Sequence, residues 1–372
     1  MNLNKKDLIL QLKFSFLMQT IVATNYSVYF DASGYEILAS MLIPSQYSKL
    51  FIIVDENTSA HCLPHLLSNL ATEVPIEIIE LEAGEINKNI ATCSEVWEVL
   101  SELGADRKSI VLNLGGGVIS DLGGFVACTF KRGINFINIP TTLLSMVDAS
   151  IGGKNGVDLG NLKNQIGIIR EPKTVIIDTK FLETLPQNEM RSGLAEMLKH
   201  GLIADKAYWD KFKNLKDLNT DDLNQLIHQS IEIKNKIVSE DLTEQGIRKS
   251  LNFGHTLGHA IESFFLEDES KTTLLHGEAI AVGMILESYI SKQKGFLTSE
   301  EYQEIKYIIK DIFETIDFTE SDIEKIIELL IYDKKNEFGK VQFALLHGIG
   351  KIKINQEADN TLIYKAFEDY LQ

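Results

Sequence analysis

The stretch SIVLNLGGGVISDLGGF, residues 109–125, decides the fold. An apolar, β-branched run is followed at once by Gly115, Gly116 and Gly117, and then by a segment with helical spacing. Glycines let the backbone approach a pyrophosphate, and a helix N-terminus offers it unpaired N–H groups. The order strand, glycine turn, helix therefore predicts a nucleotide site, with Asp121 in the helix's first turn. The motif is not GxGxxG, so a plain tight turn is the competing interpretation.

Similar strand-like runs surround this stretch, with helix-like segments between them. They are TIVATNYSVYF (20–30), LFIIVD (50–55), PIEIIEL (75–81), INFINIP (134–140) and TVIIDT (174–179). This alternation predicts a Rossmann-like, doubly wound, mostly parallel sheet, in which ligands bind beyond the carboxyl ends of the strands. Asp55 lies at such an end, where it is either a ribose acceptor or a helix N-cap.

From about Asn188 the hydrophobic pattern changes to long helical periodicities. One further strand is expected at VQFALL, 341–346. We therefore predict an α/β domain over 18–185 and a mainly α-helical domain over 186–372. The boundary segment, DTKFLETLPQNEM, carries a proline and capping residues.

Composition excludes several classes of protein. The 372 residues carry a net charge of −17, which argues against general affinity for nucleic acid or anionic membranes. No apolar run approaches the roughly 20 residues of a membrane-spanning helix. Cys62, Cys93 and Cys128 form no CxxC pair, so a disulfide framework is not expected and a reducing, cytoplasmic location fits best.

Histidines recur in three segments with helical spacing. LNFGHTLGHAIE (251–262) places His255 and His259 four residues apart, with Glu262 three further along; LLHGEAIAVGM (274–284) and SGLAEMLKHG (192–201) add more histidines and carboxylates. Structural histidines are the competing interpretation. The clustering predicts a metal site of one carboxylate and two imidazoles, a ligand set suited to zinc.

Basic residues lie beside these glycines and histidines. Taken singly, each is best read as a solvated surface residue. Their placement together predicts a pocket for phosphate or carboxylate. They are Arg132, Lys154, Lys163, Lys199, Lys234, Arg248, Lys334 and Lys335.

From about Met18 to the C-terminus the chain resembles the 3-dehydroquinate synthase family. The matching segments include AGEINK (83–88), GGGVISDLGGFVA (115–127), RGINFINIPTTLLSMVDASIGGKNGV (132–157), LKNQIG (162–167) and DKKNEFGKVQFALLHGIG (333–350), together with the three histidine segments. The resemblance does not cover Met1–Leu17, which we interpret as an extension.

The resemblance implies a site for NAD, a site for one divalent metal, Zn²⁺ or Co²⁺, and a site for a sugar-acid phosphate. The implied NAD positions are Asp55, Asn57, Glu85, Lys88, Gly115, Gly116, Gly117, Val118, Asp121, Thr141, Thr142, Lys154, Lys163, Phe181 and Thr184. The implied metal ligands are Glu196, His255 and His276. The implied positions at the reaction centre are Arg132, Asp148, Lys154, Asn164, Lys199, Lys234, Arg248, Asn252, His259 and one of Lys334 and Lys335, taken as Lys335.

The implied reaction is that of a phosphorus–oxygen lyase in the shikimate pathway. It converts 3-deoxy-D-arabino-heptulosonate 7-phosphate to 3-dehydroquinate and phosphate through oxidation, elimination, reduction, ring opening and aldol closure, with NAD regenerated. A cytoplasmic homodimer is also implied.

The resemblance also changes the assignment of His259, which becomes a substrate-binding residue and is no longer a metal ligand. Ser120 departs from the family motif, which more often has glycine at this position. The resemblance therefore does not settle how closely the backbone approaches the pyrophosphate here.

Two other enzyme classes remain open. Related sugar-phosphate cyclases act on substrates without the carboxylate and differ at the positions of Arg248, Asn252 and His259, which here follow the dehydroquinate pattern. A metal-dependent polyol dehydrogenase would accumulate NADH. A regulatory module without activity is the non-enzyme alternative.

Overall fold

The computed structural model describes residues 18–160, 162–217, 220–268, 270–330 and 341–372. Lys334, Lys335 and the predicted extension Met1–Leu17 lie outside the described residues. The chain divides into two compact units. The α/β unit comprises the described residues up to Thr141 together with Gly153–Val157 and Arg170–Glu183; the helical unit comprises Thr142–Gly152, Asp158–Ile169 and Thr184–Gln372.

The strands lie mainly in the first half of the chain. They are β1 (Ile21–Val22), β2 (Ser27–Phe30), β3 (Leu50–Asp55), β4 (Ile76–Leu81), β5 (Ile110–Gly115), β6 (Asn135–Pro140), β7 (Lys154–Leu159), β8 (Leu162–Ile169), β9 (Val175–Ile177), β10 (Phe343–Leu346) and β11 (Ile352–Gln356).

The helices are α1 (Asp31–Met41), α2 (Glu56–His61), α3 (Leu63–Asn69), α4 (Ile90–Glu102), α5 (Gly117–Thr129), α6 (Gln187–Ala204), α7 (Lys206–Asp210), α8 (Thr220–Glu240), α9 (His255–Glu267), α10 (His276–Gln293), α11 (Ser299–Ile312), α12 (Glu320–Leu329) and α13 (Asn360–Tyr370). Shorter 3₁₀ turns occupy Glu85–Asn87, Phe130–Arg132, Thr179–Thr184, Lys211–Asp217 and Ile247–Asn252, and a π-helical turn occupies Ser145–Ala149.

The α/β unit is built on one seven-stranded sheet of order β1-β2-β9-β6-β5-β3-β4. All pairings from β2 to β4 are parallel, and only β1 runs antiparallel. Every residue of β5 is buried, as expected for a central parallel strand that is covered on both faces. The predicted Rossmann-like, doubly wound sheet is confirmed.

The order of the strands reverses between β3 and β5. From β3 the chain continues to β4 on one side of the sheet and then to β5 on the other, and β3 and β5 are hydrogen-bonded neighbours. Ile53 pairs with Asn113, so Asp55 and Gly115 follow two residues later at the same edge. Ligands of open parallel sheets bind at such a reversal point, beyond the carboxyl ends of the strands.

The helical unit is held together by close helix packing at glycines. A Cβ on Gly283 of α10 would lie 2.0 Å from the carbonyl oxygen of Gly254, and a Cβ on Gly258 of α9 would lie 2.7 Å from Ile280. Only glycine permits this distance between α9 and α10. The two helices that begin with His255 and His276 are thereby fixed against each other.

The predicted helical second half is confirmed, but the strand prediction there was incomplete. Strand β11 pairs antiparallel with β10. Its half-exposed sequence, IKINQ, has no apolar run by which it could be found. Strands β7 and β8 were also missed, because the glycines and lysines around them are typical of a loop. Among the described residues, no helix combines the length and the apolar character needed to cross a bilayer.

Candidate functional site

Asp55 ends strand β3 and precedes helix α2. Its carboxylate accepts a hydrogen bond from Thr58 N–H at 2.8 Å, and its own N–H donates to the Thr58 hydroxyl oxygen at 2.9 Å. This reciprocal pair is a capping box, so the interpretation of Asp55 as a helix N-cap is confirmed. Asn57, in the first turn of the same helix, is exposed.

The glycine turn joins β5 to α5 at the reversal point of the sheet. Gly116 is the N-cap residue of α5 and has no side chain that could cap the first N–H groups of the helix. A Cβ on Gly115 would lie 2.5 Å from the Cβ of Ile119, which shows how tightly the chain turns. Thr141 N–H donates to the Gly115 carbonyl at 3.1 Å. These features fit the phosphates of a dinucleotide.

Helix α5 carries the serine that departs from the family motif. Ser120 is buried, and its hydroxyl donates to the Gly117 carbonyl at 3.2 Å, within the helix. The prediction that Asp121 lies in the first turn is wrong, because α5 begins at Gly117 and its first turn contains no acidic residue. Buried Lys88 lies 2.8 Å from Asp121 and 3.6 Å from Glu85, measured from Nζ to carboxylate oxygen. Three predicted nucleotide residues thus form one ion cluster.

The structure divides the remaining predicted nucleotide residues between the two units. Phe181, buried in the α/β unit, packs its ring edge-to-face against His65 at 5.4 Å between centroids. Val118 in α5 is half-buried and Lys154 is exposed, and both belong to that unit. The residues that belong to the helical unit are Thr142, Lys163 and Thr184.

Three imidazoles meet at the beginnings of α9 and α10. The ring centroids of His255, His259 and His276 lie 5.1 to 5.7 Å apart. The predicted helical face is confirmed, since α9 carries both His255 and His259. The buried carboxylate of Glu196 on α6 lies close by: its Oε1 is 3.4 Å from His255 Nε2 and 3.8 Å from His276 Nε2. Three separate helices thus bring the predicted ligands together.

The orientation of these groups fits a bound cation. Within the described part of the chain, no hydrogen bond reaches the buried Oε1 of Glu196. His255 Nδ1 lies 3.1 Å from the Phe253 carbonyl, and His276 Nδ1 lies 3.3 Å from Glu262. When Nδ1 donates to such an acceptor, the lone pair is left on Nε2, the nitrogen that faces Glu196. One carboxylate oxygen and two imidazole nitrogens thus converge as a zinc-type ligand set.

Charge is concentrated beside this cluster. Lys199, one turn after Glu196 on α6, makes an ion pair with Glu196 Oε2 and lies 4.0 Å from Asp148. Burial alone would raise the pKa of Glu196, but Lys199 and His276 together outweigh it and lower the pKa below its usual value. Lys234 Nζ donates to the side chain and to the carbonyl of Asp148, both at 2.6 Å.

The pKa values of both partners in the Lys234–Asp148 pair are lowered, but for different reasons. The pKa of Asp148 is well below its ordinary value, because Lys234 and Lys199 outweigh the effect of burial. The pKa of Lys234 is nevertheless lowered to about 8, because burial, Lys199 and Arg248 together outweigh Asp148. Lys234 thus lies close enough to two other cations for their charge to lower its pKa further.

Arg248 is almost completely buried. It donates from Nη1 to the Leu242 carbonyl at 2.6 Å and from Nη2 to the Gly152 carbonyl at 3.1 Å. Asn252, at the end of the same 3₁₀ turn, donates to Glu244 at 2.9 Å. Both residues belong to the helical unit.

Two predicted reaction-centre residues have a positive φ, which is uncommon for residues other than glycine. Arg132, in the α/β unit, has a φ of 69°, and Asn164, on β8, has a φ of 51°. Both side chains are exposed. Asn164 N–H donates to Asp158 at 2.6 Å. Lys335 lies outside the described residues.

Glu262 entered the sequence predictions only as a neighbour of His255 and His259, and Ser230 was not predicted at all. Glu262 contacts both His276 and Lys163, and Ser230 binds the Nδ1 atom of buried His200 at 2.7 Å. The helical spacing of Glu262 from His255 and His259 places it on the same face of α9, which is a signal that the sequence does contain. Nothing in the sequence indicates the contact with Ser230.

Comparison with known proteins adds independent information. The family model described as 3-dehydroquinate synthase N-terminal matches residues 78–192, and the model described as 3-dehydroquinate synthase C-terminal matches residues 193–336. A curated 3-dehydroquinate synthase from Parabacteroides distasonis is 42% identical over 336 residues, which cover 90% of this chain and 94% of the relative.

Solved structures share the architecture. A 2-deoxy-scyllo-inosose synthase in complex with carbaglucose-6-phosphate, NAD⁺ and Co²⁺ is 27% identical with a TM-score of 0.79, covering 94% of this chain and 99% of that one. A 2-epi-5-epi-valiolone synthase from Streptomyces hygroscopicus subsp. jinggangensis, with NAD⁺ and Zn²⁺ bound, is 24% identical with a TM-score of 0.81, covering 95% and 98%, and supports the fold alone. Since the family models match most of the chain and the curated relative aligns along nearly all of it, the chain belongs to the 3-dehydroquinate synthase family.

Proposed function

We propose that this chain converts 3-deoxy-D-arabino-heptulosonate 7-phosphate to 3-dehydroquinate and phosphate. The observation that carries the proposal is the buried group of cations in the helical unit, Lys199, Lys234 and Arg248. Burying several cations together is costly unless anions accompany them. The substrate carries a phosphate and a carboxylate, which are the anions that such a group of cations binds.

Two carboxylates among the described residues pair with the two lysines of this group. Asp148 is the partner of Lys234, and Glu196 is the partner of Lys199. Because we also assign Glu196 to the metal, the positive charge of Lys199 would be available to an incoming dianion. Burial is the main cause of the lowered pKa of Lys234, and Lys199 and Arg248 lower it further.

The residues that we assign to the metal are Glu196, His255 and His276, and the residues that we assign to NAD line the glycine turn between β5 and α5. When bound, NAD would accept and return a hydride, and the metal would act as a Lewis acid toward the substrate oxygens. The N-terminus of α5 would hold the pyrophosphate. We assign His259, whose ring lies beside both proposed imidazole ligands, to the substrate hydroxyls.

The protein's own groups would act by positioning and electrostatics. Lys199 and Lys234 would hold substrate oxygens that become anionic, and Arg248 would bind the carboxylate or the phosphate. Since Arg248 is already fixed by the carbonyls of Leu242 and Gly152, little side-chain entropy remains to be lost when the substrate binds.

The metal identity, the assembly and the location are further parts of the proposal. The imidazole and carboxylate ligands suit Zn²⁺ or Co²⁺. The family resemblance favours a homodimer, and the cysteine content favours the cytoplasm. Metal analysis of the purified protein and analytical ultracentrifugation would test the first two.

A phosphate-release assay tests the reaction. Purified protein with NAD should release one phosphate for each dehydroquinate formed from the heptulosonate phosphate, without net NADH. Prior treatment with a chelator should stop the release, and added Zn²⁺ or Co²⁺ should restore it. Glucose 6-phosphate, a sugar phosphate without the carboxylate, is the matched control and should not react.

Two outcomes would contradict the proposal. Turnover of glucose 6-phosphate, with none of the heptulosonate phosphate, would identify a cyclase of the other substrate class. Accumulation of NADH with a polyol would identify a dehydrogenase.

A further inference from the structure

Glu262 lies in the interior of the helical unit, on helix α9, and both of its oxygens are engaged. Only 6% of the residue is exposed. Oε1 accepts a hydrogen bond from Lys163 Nζ at 2.7 Å, and Oε2 lies 3.3 Å from Nδ1 of His276. A buried carboxylate that contacts a cation and an imidazole is well satisfied. It has no place in the proposed ligand set.

The contact with His276 constrains that imidazole. Its Nδ1 faces Glu262 while its Nε2 lies 3.8 Å from Glu196 Oε1. A neutral imidazole donates from one nitrogen and offers a lone pair from the other. With the proton on Nδ1, directed at Glu262, the lone pair of Nε2 is directed toward the proposed metal position.

The second imidazole provides an internal comparison. Nδ1 of His255 faces the backbone carbonyl of Phe253 at 3.1 Å, and its Nε2 also faces Glu196 Oε1. Both rings therefore have the same polarity relative to Glu196. One is oriented by a backbone carbonyl that no substitution removes, and the other is oriented by a side chain that can be changed.

We propose that Glu262 is a positioning residue of the metal centre, which orients His276 through Nδ1 while Lys163 fixes the Glu262 carboxylate. The inference rests on the proposed metal ligands. A carboxylate behind a ligating histidine holds the ring in one orientation and raises its basicity, and loss of such a partner weakens metal binding about 10- to 100-fold.

The alternative is that Glu262 merely pairs with Lys163 and stabilises the fold. The two roles differ in what they predict for metal-free protein. A purely structural residue changes the melting temperature with and without metal by similar amounts. A positioning residue reduces the increase in melting temperature that the metal itself produces, since that increase depends on the metal affinity.

The experiment measures Zn²⁺ affinity by competition with a chromophoric chelator, and melting temperature with and without Zn²⁺, on the full chain. Glu262→Ala should weaken Zn²⁺ binding about 10- to 100-fold. Glu262→Gln keeps an oxygen that accepts a hydrogen bond from Nδ1 of His276, so its Zn²⁺ affinity should be intermediate. If Glu262→Ala does not fold, Glu262→Gln provides the test. Lys163→Met, which leaves the contact between Glu262 and His276, should have a smaller effect than Glu262→Ala. Glu267→Gln, an exposed change on the same helix, is the control.

His276→Ala separates this inference from the assignment of the ligands. If His276→Ala loses tight Zn²⁺ binding while Glu262→Ala and Glu262→Gln keep the wild-type affinity, the ligand assignment stands and the role of Glu262 is overturned. If His276→Ala itself retains stoichiometric Zn²⁺, the proposed metal site is wrong.

Discussion

The two units build their candidate sites from different materials. In the α/β unit the site is largely backbone, a glycine turn and the uncapped N-terminus of α5 at the reversal point of the sheet. In the helical unit it consists of buried side chains with charge, drawn from α6, α8, α9 and α10 and from the π-helical and 3₁₀ turns. A backbone site tolerates changes in side-chain chemistry but not in shape, whereas a side-chain site depends on chemistry.

Arg248→Lys should give the largest effect, because the helical site depends on side-chain chemistry. A lysine cannot reproduce the planar, forked guanidinium that also donates to two carbonyls. We expect a loss of about 2 to 4 kcal/mol in transition-state stabilisation, measured as kcat/KM. The affinity for NAD should be unchanged, and Arg107→Lys, an exposed substitution in the α/β unit, should have no effect. Loss of NAD binding together with retained affinity for a substrate analogue would place Arg248 in the nucleotide site.

Gly277→Ala asks whether shape also matters in the helical unit. A Cβ at this position would lie 2.2 to 2.6 Å from backbone atoms of Ser192, and backbone cannot rotate away. We expect a loss of about 1 to 3 kcal/mol in the free energy of unfolding, measured with denaturant. Because His276 is the preceding residue, Zn²⁺ affinity should fall as well. If the variant keeps the wild-type stability and metal affinity, α10 can move away from the Ser192 backbone without a loss in the free energy of unfolding.

Gly115→Ala makes the matched change in the α/β unit. The added Cβ would lie 2.5 to 2.9 Å from the Ile119 side chain, at the turn proposed to hold the pyrophosphate. We expect NAD binding, followed by calorimetry, to weaken by about 2 kcal/mol through displacement of the turn. The Zn²⁺ affinity should remain that of the wild type. Equal losses in the affinities for NAD and for Zn²⁺ would show that the two sites cannot be changed separately.

The pH dependence of substrate binding should give the smallest effect. Burial lowers the pKa of Lys234 to about 8 from an ordinary value of 10.5, so Lys234 is charged below pH 8 and neutral above it. Its charged fraction falls roughly tenfold between about pH 7 and pH 9, which corresponds to about 1.4 kcal/mol. The KM for the anionic substrate should rise over that interval. Lys234→Arg, which stays charged, should show a flatter profile even if its activity is lower; an identical profile would assign the titration to another group.

Part of this molecule could be predicted from local sequence. The strand at 110–115, the glycine turn and the helix that follows were found because an apolar run, three glycines and helical spacing are each local signals. The same holds for the placement of His255 and His259 on one face of α9. The family resemblance added the set Glu196, His255 and His276, which local spacing alone had left open.

Other features depend on contacts between residues far apart in the chain. Nothing near Glu262 indicates that Lys163 will reach it, and nothing near Asp148 indicates that it will pair with Lys234. The strands β7, β8 and β11 were missed, because none of them carries the continuous apolar run by which the other strands were found.

By itself the sequence determined where the apolar strands, the glycine turn and the long helices form, and which of the candidate site residues lie on them, because hydrophobic period and glycine placement act over a few residues. Only the tertiary structure decided which imidazole nitrogen faces Glu196 and which carboxylate lies behind it. It also decided how much positive charge is buried near Asp148. These properties arise from distances between helices, and those distances are set by the packing of the whole helical unit at residues such as Gly258 and Gly283.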